Sequence, residues 1–500
     1  MAIETELKLR LTPEHLALLR RHALFKTHQI TAPVTHRLHN IYYDTPELEL
    51  HQHKMALRLR RVGGQWLQTL KGGGQVMAGL HQRMEWEVPV PSDRLDFTGL
   101  EEWDAHLPQA LRNDLHPVFI TDFYRASREL NWRGAIIEVC MDHGEVKTEQ
   151  HSTPICEVEL ELKSGEPQQL FSLAQTILEI VPFELETVSK AEQGFRLLSD
   201  FVAHPVKSTL PKLEKSDSLT DVLQTLIWSC VLHLQSNLSG MMGGTDSEYL
   251  HQLRVAIRRL RVVLRMAEKM RADDELASLR LTLNELGVSL GRIREWDVFI
   301  AKNIAPVQTI IEGNPDLQRF KALLASCELQ RADCYAVLRG QSRDIQRLLL
   351  RLAHWMKGPY WQAASVTGIF DFACRRLQPL ARSYQKTVSN LHMLDMAQLH
   401  ALRIQAKKLR YSAEFFAGLY SGKLTKSYLA ALSEVQEQLG NLNDIRVAVQ
   451  RLNELADRLP EHREIIAFIK VRTEADLPGL FKALHQGVKN FARQPAFWEK

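Results

Sequence analysis

The sequence predicts two domains of different class: an antiparallel α+β barrel over residues 1–203, and an all-α domain over residues 217–500 made of two repeated helical bundles. Three observations carry this. Apolar residues alternate with period 2 before about residue 200 and recur with period 3.6 after it. Residues 1–200 hold 21 Lys and Arg against 29 Asp and Glu, a balance of −8, whereas residues 201–500 hold 42 against 30, a balance of +12. Finally, the second part repeats itself without a gap at an offset of 149 residues.

In the first part, Glu4, Glu6, Lys8 and Arg10 interleave with Ile3, Leu7 and Leu9. The same alternation places Arg58 and Arg60 between Leu57 and Leu59, Arg83, Glu85 and Glu87 among Met84, Trp86 and Val88, and Glu157, Glu159 and Glu161 among Val158, Leu160 and Leu162. Glu138 sits among Ile136, Ile137 and Val139. Each segment reads as a strand with one charged and one apolar face. Helices are expected at 12–24, opened by Thr12-Pro13-Glu14, and at 167–180. Residues 204–216, with two prolines, three lysines and no periodicity, read as a linker.

In the second part, His251-Gln252-Leu253-Arg254-Val255-Ala256-Ile257-Arg258-Arg259-Leu260-Arg261 matches His400-Ala401-Leu402-Arg403-Ile404-Gln405-Ala406-Lys407-Lys408-Leu409-Arg410. Leu290-Gly291-Arg292-Ile293-Arg294-Glu295 and Leu439-Gly440-Asn441-Leu442-Asn443-Asp444 keep the same offset. The repeats are expected at about 217–365 and 366–497. On a helix over about 248–268, His251, Arg254, Arg258, Arg261 and Arg265 form a basic stripe beside Leu250, Leu253, Ile257, Leu260 and Leu264. His400, Arg403, Lys407 and Arg410 repeat it. A single such stripe is usually a solvated face. A basic row without acids at i±4 repels itself, however, and two copies favour a polyanion groove.

If the strands close into a barrel with apolar faces outward, the charged faces share one interior. The first and last strands are rich in carboxylates (Glu4, Glu6, Glu157, Glu159, Glu161), and the others offer Arg58, Arg60, Lys71 and Arg125. Carboxylates two apart on one strand face cannot all stay ionised without cations, and all-oxygen donors suit Mg²⁺ or Mn²⁺. Facing Lys and Arg suit a phosphate chain, so the whole reads as a metal-assisted phosphoanhydride site. Gly72–Gly74 lack the surrounding pattern of a phosphate loop and read as a hairpin turn. We find no aromatic cluster near the basic strands, which counts against a nucleobase pocket.

Glu4-Thr5-Glu6-Leu7-Lys8 resembles the E-x-E-x-K signature of the CYTH superfamily, the triphosphate tunnel metalloenzymes. The likeness continues through Asn40-Ile41-Tyr42-Tyr43-Asp44-Thr45-Pro46, Leu57-Arg58-Leu59-Arg60, Thr69-Leu70-Lys71, Glu138 with Asp142, Glu157 to Glu161, and Ser189-Lys190. It implies an eight-stranded tunnel. Glu4 and Glu6 would ligate metal, with Glu159 and Glu161 (or Glu157 and Glu159) as the second pair. Lys8, Arg58, Arg60, Lys71, Arg125 and Lys190 would contact phosphate, and Glu85, Glu87, Glu138 and Asp142 would support metal, water or basic side chains.

The two stripes resemble the CHAD domain, with His251 and His400 at its signature histidines and Glu295 replacing the usual Asp that Asp444 keeps. That likeness implies binding of inorganic polyphosphate. The leading expectation is an inorganic triphosphatase cleaving tripolyphosphate to pyrophosphate and phosphate. The alternatives are a polyphosphate-binding protein with little hydrolysis, or a tunnel enzyme for thiamine triphosphate or nucleoside triphosphates, adenylate cyclase included. Nucleic acid is the less favoured polyanion, since no nucleic-acid motif accompanies the stripes. No stretch approaches the roughly 20 apolar residues of a spanning helix. The first six residues lack a secretory pattern, and the six cysteines (140, 156, 230, 327, 334, 374) form no C-x-x-C pair, so a cytoplasmic chain without membrane contact is expected.

Overall fold

The computed structural model describes the chain apart from residues 1, 99, 101–102, 104–106, 200, 244–245, 314, 363–366, 421 and 500, and apart from the side chains of residues 2, 3 and 75. It forms two compact units, residues 1–204 with 342–360, and residues 205–341 with 361–500.

Among the described residues, unit one is built on nine strands: β1 (Ala2–Arg10), β2 (Val34–Asp44), β3 (Met55–Val62), β4 (Gln65–Met77), β5 (Leu80–Val90), β6 (His116–Trp132), β7 (Ala135–Lys147), β8 (Ser152–Ser164) and β9 (Glu184–Leu185). The sheet order is β5-β4-β3-β2-β6-β7-β8-β1-β9, and β1 also pairs with β5, which closes strands one to eight into an antiparallel barrel. Strand β1 bridges the closure, pairing with β5 over Ala2 to Leu7 and with β8 over Glu6 to Arg10. The expected barrel is therefore present.

Helices α1 (Pro13–Arg21), α2 (Ala23–His28), α3 (Glu49–Gln52), α4 (Gln109–Arg112), α5 (Gln168–Ile180) and α6 (Lys190–Leu198) decorate it. Thr12 caps α1, accepting the His15 N–H at 3.3 Å, and the chain breaks at His22 before α2. Outside the barrel, Leu57, Leu59, Leu70 and Trp86 pack with Trp103 and Leu107, while α5 lies on β1 and β8. Asp44 ends β2 and is buried. Its carboxylate accepts the N–H groups of Thr45, Leu50 and His51 at 2.8–3.0 Å, which pins α3 to the barrel.

The glycine run is not a hairpin turn. Strand β4 continues through it, with a bulge between Gly72 and Gly74. Gly73 and Gly74 have φ of +53° and +148°, and a Cβ on Gly74 would lie 2.2 Å from the Gln82 carbonyl oxygen, so only glycine fits.

The remaining helices are α7 (Leu219–Gly243), α8 (Ser247–Met270), α9 (Asp274–Phe299), α10 (Ala305–Gln308), α11 (Leu317–Gly340), α12 (Ser342–Met356), α13 (Ile369–Val388), α14 (Met396–Phe416), α15 (Lys423–Arg458), α16 (Arg463–Glu474) and α17 (Leu477–Ala492). All but α12 belong to unit two. The duplication is explicit there: α8 and α14 start 149 residues apart, each capped by an aspartate side chain, Asp246 or Asp395. Helix α8 pairs with α9 as α14 pairs with α15, and α8 also touches α14. Helix α12 lies inside the stretch read as the first repeat, and it packs on α5 in unit one.

Helix α6 docks on the inner face of the barrel, with Gly194 against the ring of Phe119, which stacks on Tyr42. A Cβ at 194 would lie 2.2 Å from that ring. Gly194→Ala should therefore destabilise unit one by about 1–3 kcal/mol, the usual cost of overpacking; chemical denaturation of the full chain checks this.

Candidate active site and anion-binding helices

Residues directly opposite on paired strands share a face. Around the barrel, Glu6 pairs with Glu161, Lys8 with Glu159, Glu161 with Glu138, Glu157 with Asp142, and Asp142 with Arg125. Arg60 pairs with Asn40, Arg58 with Tyr42 and Thr69, Lys71 with Glu85, and Thr69 with Glu87. The strand-borne charges singled out in the sequence thus line one interior. Lys190 joins them from the first turn of α6, whose N-cap Ser189 accepts the Glu192 N–H at 3.1 Å.

At one depth lie three buried carboxylates, Asp142, Glu157 and Glu159, with oxygens within 4.8 Å of one another, a set that could hold a metal ion. Their present counter-charges are protein cations. Lys190 donates to Asp142 at 2.6 Å and to Glu159 at 2.9 Å, and also to Glu157. Arg125 grips Asp142 with two bonds, at 2.8 and 2.6 Å, and reaches Glu159, which also receives Lys8. Burial alone would raise the Asp142 and Glu159 carboxyls, but Arg125, Lys190 and, for Glu159, Lys8 hold both below the usual range. For Glu157 burial wins over Lys190 and Lys8, and its pKa is pushed up to about 7.

At a second depth, Glu4 receives Lys71 at 2.6 Å, and Lys71 also lies 3.2 Å from Glu85. Glu138 and Glu161 share Lys163, at 2.9 and 2.7 Å. Burial raises the Glu161 carboxyl; Lys163 opposes this, and the nearby Glu4 and Glu138 charges add to it. Glu6 is buried 3.0 Å from Lys8. Glu87 sits at the exposed rim, accepting the Thr69 hydroxyl at 2.9 Å.

Between these groups stands a basic wall. Arg58 is 3.6 Å from Glu85, and its Nε is buried without a hydrogen-bond partner. Arg60 donates to Asn40 Oδ1 at 2.8 Å and is in no ion pair among the described residues. Burial, together with Arg58 and Arg125, lowers its pKa to about 10. These are cations with bonding capacity to spare.

Several interior residues escaped the sequence reading. Asn40 orients Arg60 while its own amide donates to Thr121 Oγ1 at 2.8 Å. His81, fully buried beside Glu6, is kept neutral with a pKa near 3, by burial first and then by Lys8. Because Arg83 can only donate, His81 Nδ1 accepts from it at 3.3 Å and Nε2–H donates to the Glu186 carbonyl at 3.1 Å. Parity along β2 and β5 was the available signal. The expectation of no aromatic cluster near the basic strands is overturned: Tyr42, Phe119, Phe123 and Phe195 pack together on the inner face beside Arg58. They are 2–4% exposed, so they plug the barrel and present no free ring face.

In unit two the stripes of α8 and α14 meet. Arg258 Nε donates to Tyr411 Oη at 3.2 Å, and Arg254, Arg258, Arg403 and Lys407 lie close enough to repel one another. None is in an ion pair among the described residues, and Arg254 Nη1 and Arg403 Nε are buried without partners. Burial, then Arg258, Arg403 and Arg254, lowers Lys407 to about 6. The second motif makes room for the first: a Cβ on Gly291 would meet Arg254 Nη1 at 3.0 Å, and Gly440 faces Arg403 at 4.0 Å.

The histidines differ between the repeats. His400 Nδ1 bonds Asn443 Oδ1 at 2.6 Å, whereas burial and then Arg294, at the matching position, push His251 down to about 4. Farther along α8, Arg261 donates to Asn284 at 2.6 Å, and Arg265 and Arg280 join Arg261 around a cavity of about 400 Å³. Arg410 is drawn to Glu414 at 3.3 Å and to Ser433 at 3.1 Å.

A closed barrel with acids and bases on its inner face, followed by duplicated basic helical hairpins, defines a tunnel-type barrel domain joined to a repeated helical domain. Residues 2–195 match the CYTH domain and residues 225–453 the CHAD domain, so the chain carries a CYTH domain followed by a CHAD domain. An inorganic triphosphatase of Haemophilus influenzae is 35% identical over 164 residues, which is 32% of this chain and 46% of that protein, so the match spans less than half of that relative's length. The crystal structure of the CHAD domain from the plant Ricinus communis is 29% identical with a TM-score of 0.51, covering 59% of this chain and 99% of that one. No described helix is long and apolar enough to cross a membrane.

The raised Glu157 pKa has a testable sign. From this group alone, folding stability is greatest below the unfolded value of 4.5 and declines as pH rises towards about 7. Glu157→Gln removes that decline. The stability of the variant relative to the parent should therefore be more favourable at pH 8 than at pH 5, measured by denaturant titration at both pH values.

Proposed function

We propose that this chain is a divalent-metal-dependent inorganic triphosphatase that hydrolyses tripolyphosphate to pyrophosphate and phosphate, and that its helical unit holds inorganic polyphosphate. The observation that carries the first half is the sorting of charge inside one closed barrel, with Arg58, Arg60 and Lys71 opposite Glu4, Glu6 and Glu161. The coarser conclusion, a triphosphatase-type tunnel enzyme, rests on the CYTH match and the Haemophilus influenzae relative.

The donor set fits a hard cation. Glu4, Glu6 and Glu161 supply only oxygen; burial first, then the Glu4 and Glu138 charges, raise the Glu161 carboxyl against Lys163, and a cation replacing the lysine partners of the three would relieve that push. Asp142, Glu157 and Glu159 would also gather on one cation, but only if Lys190 withdrew. Mg²⁺ or Mn²⁺ bound at Glu4, Glu6 and Glu161 would supply Lewis acidity towards a phosphoryl oxygen and a bound water of lowered pKa.

The chain's own residues do the rest. Arg58 and Arg60, with unspent donors, grip phosphate oxygens and spread the negative charge that develops on them. Asn40 keeps Arg60 aimed inward. The aromatic plug excludes water from one side of the interior. In the helical unit, the partnerless donors of Arg254 and Arg403 are completed by phosphate oxygens of a longer chain.

Phosphate release should be measured from tripolyphosphate, ATP and thiamine triphosphate side by side, with divalent cation and with excess chelator. Tripolyphosphate should be preferred and activity should vanish with chelator. Glu6→Ala should lower turnover by orders of magnitude. Arg58→Ala or Arg60→Ala should cost about 1.5–3 kcal/mol, roughly ten- to a hundredfold in kcat/KM, with the fold retained.

Polyphosphate binding carries its own pH signature. Lys407, at about 6, is mostly neutral at pH 7.5, and a polyanion favours its charged form. Binding should take up a proton and weaken as pH rises above about 6. Titration calorimetry in buffers of different ionisation heat checks this, and Lys407→Met should abolish the uptake.

A further inference from the structure

We propose that helix α12, encoded directly after α11 of the helical unit, is a positioning element of the tunnel, acting through Gln346 on the segment 184–190 that delivers Lys190. The proposal rests on the triphosphatase reading for its catalytic readout only.

Helices α12 and α5 run antiparallel. Arg343 donates to the Leu178 carbonyl, and Arg347 lies 3.0 Å from Glu179, both at the C-terminal end of α5; Gln168, at its other end, bonds the His354 carbonyl at 3.4 Å. Arg343 therefore satisfies a carbonyl that the helix end leaves open, and both arginines complement its dipole. Ile345, Leu348, Leu349, Leu352 and Met356 are buried, so this is a docked helix and not a passing connection.

Gln346, buried among them, reaches past α5. Its Oε1 accepts the Leu185 N–H at 3.2 Å. Leu185 lies in β9, opposite Leu9. One residue on, the Glu186 N–H donates to the Lys8 carbonyl at 2.9 Å, and the Glu186 carbonyl accepts from His81 at 3.1 Å. The Glu186 carboxylate then takes the Val188 N–H at 2.8 Å, Ser189 caps α6, and Lys190 enters the carboxylate cluster. Strand β9 is only two residues long, so its register depends on such side contacts. Gln346 supplies one to the strand that braces Lys8 and sets the start of α6.

The test uses the full chain. Gln346→Met keeps the volume and loses the acceptor, whereas Gln346→Glu keeps an acceptor oxygen. We expect faster amide exchange over 184–190 in the methionine variant and a fall in kcat for tripolyphosphate on the order of tenfold, since slight misplacement of charged groups is costly. The glutamate variant should recover both. Arg343→Ala, farther from β9, should move both readouts the same way, and it decides the matter if the methionine variant fails to fold. Unchanged exchange over 184–190 in the methionine variant would overturn the proposal. So would equal losses in the Met and Glu variants with a common drop in Tm, which would make α12 merely structural. If the parent chain hydrolyses no tripolyphosphate, the triphosphatase reading falls, and exchange alone decides the role of Gln346.

Discussion

The tunnel depends on one buried ammonium. Lys190 contacts Asp142, Glu157 and Glu159 at once, in an interior where an unpaired charge costs several kcal/mol. With Arg125 and Lys8 it brings three cations to three carboxylates. This balance lets a barrel carry charge rather than leucine on its inner face without collapsing or flooding. A second group of carboxylates is also met by protein cations: Lys71 pairs with Glu4, and Lys163 is shared by Glu138 and Glu161, where burial first and then the Glu4 and Glu138 charges still push the Glu161 carboxyl up.

The helical unit takes the opposite course. Arg254, Arg258, Arg403 and Lys407 converge from two copies of one motif and are in no ion pair among the described residues; the charges of Glu295 and Asp444 offset the repulsion only in part. The strain appears as a lysine pushed to about 6 and as guanidinium nitrogens left without partners. Burying such donors unpaired is destabilising unless a ligand offsets it. Gly291, where a Cβ would lie 3.0 Å from Arg254 Nη1, shows how closely Arg254 approaches the neighbouring helix.

Much of this was legible in the sequence, because strand parity and helical spacing are local. Period-2 alternation assigned Glu4, Glu6, Lys8, Arg58, Arg60 and Glu157 to Glu161 to one face, and closure of the sheet did the rest. The gapless repeat located both basic stripes and, at the same offset, both helix starts. What could not be read was long-range. Nothing local says that Phe195 enters the barrel to meet Tyr42 and Phe119, or that Lys190 lands among carboxylates from two strands. The glycines after Lys71 misled because a bulge and a turn ask for the same residue; only the register of β4 on β5 separates them.

The interleaving of α12 with the barrel bears on how the protein is made. The first 204 residues emerge as a nearly complete domain, but the helix that covers α5 is encoded about 150 residues later. At synthesis rates of about 5–20 residues per second, the nascent barrel waits on the order of ten to thirty seconds with an apolar strip uncovered. During that interval the strip is available to a chaperone or to the strip of a neighbouring chain on the same message. The order of synthesis thus leaves this face of α5 uncovered until α12 has been made, an interval that the finished molecule no longer displays.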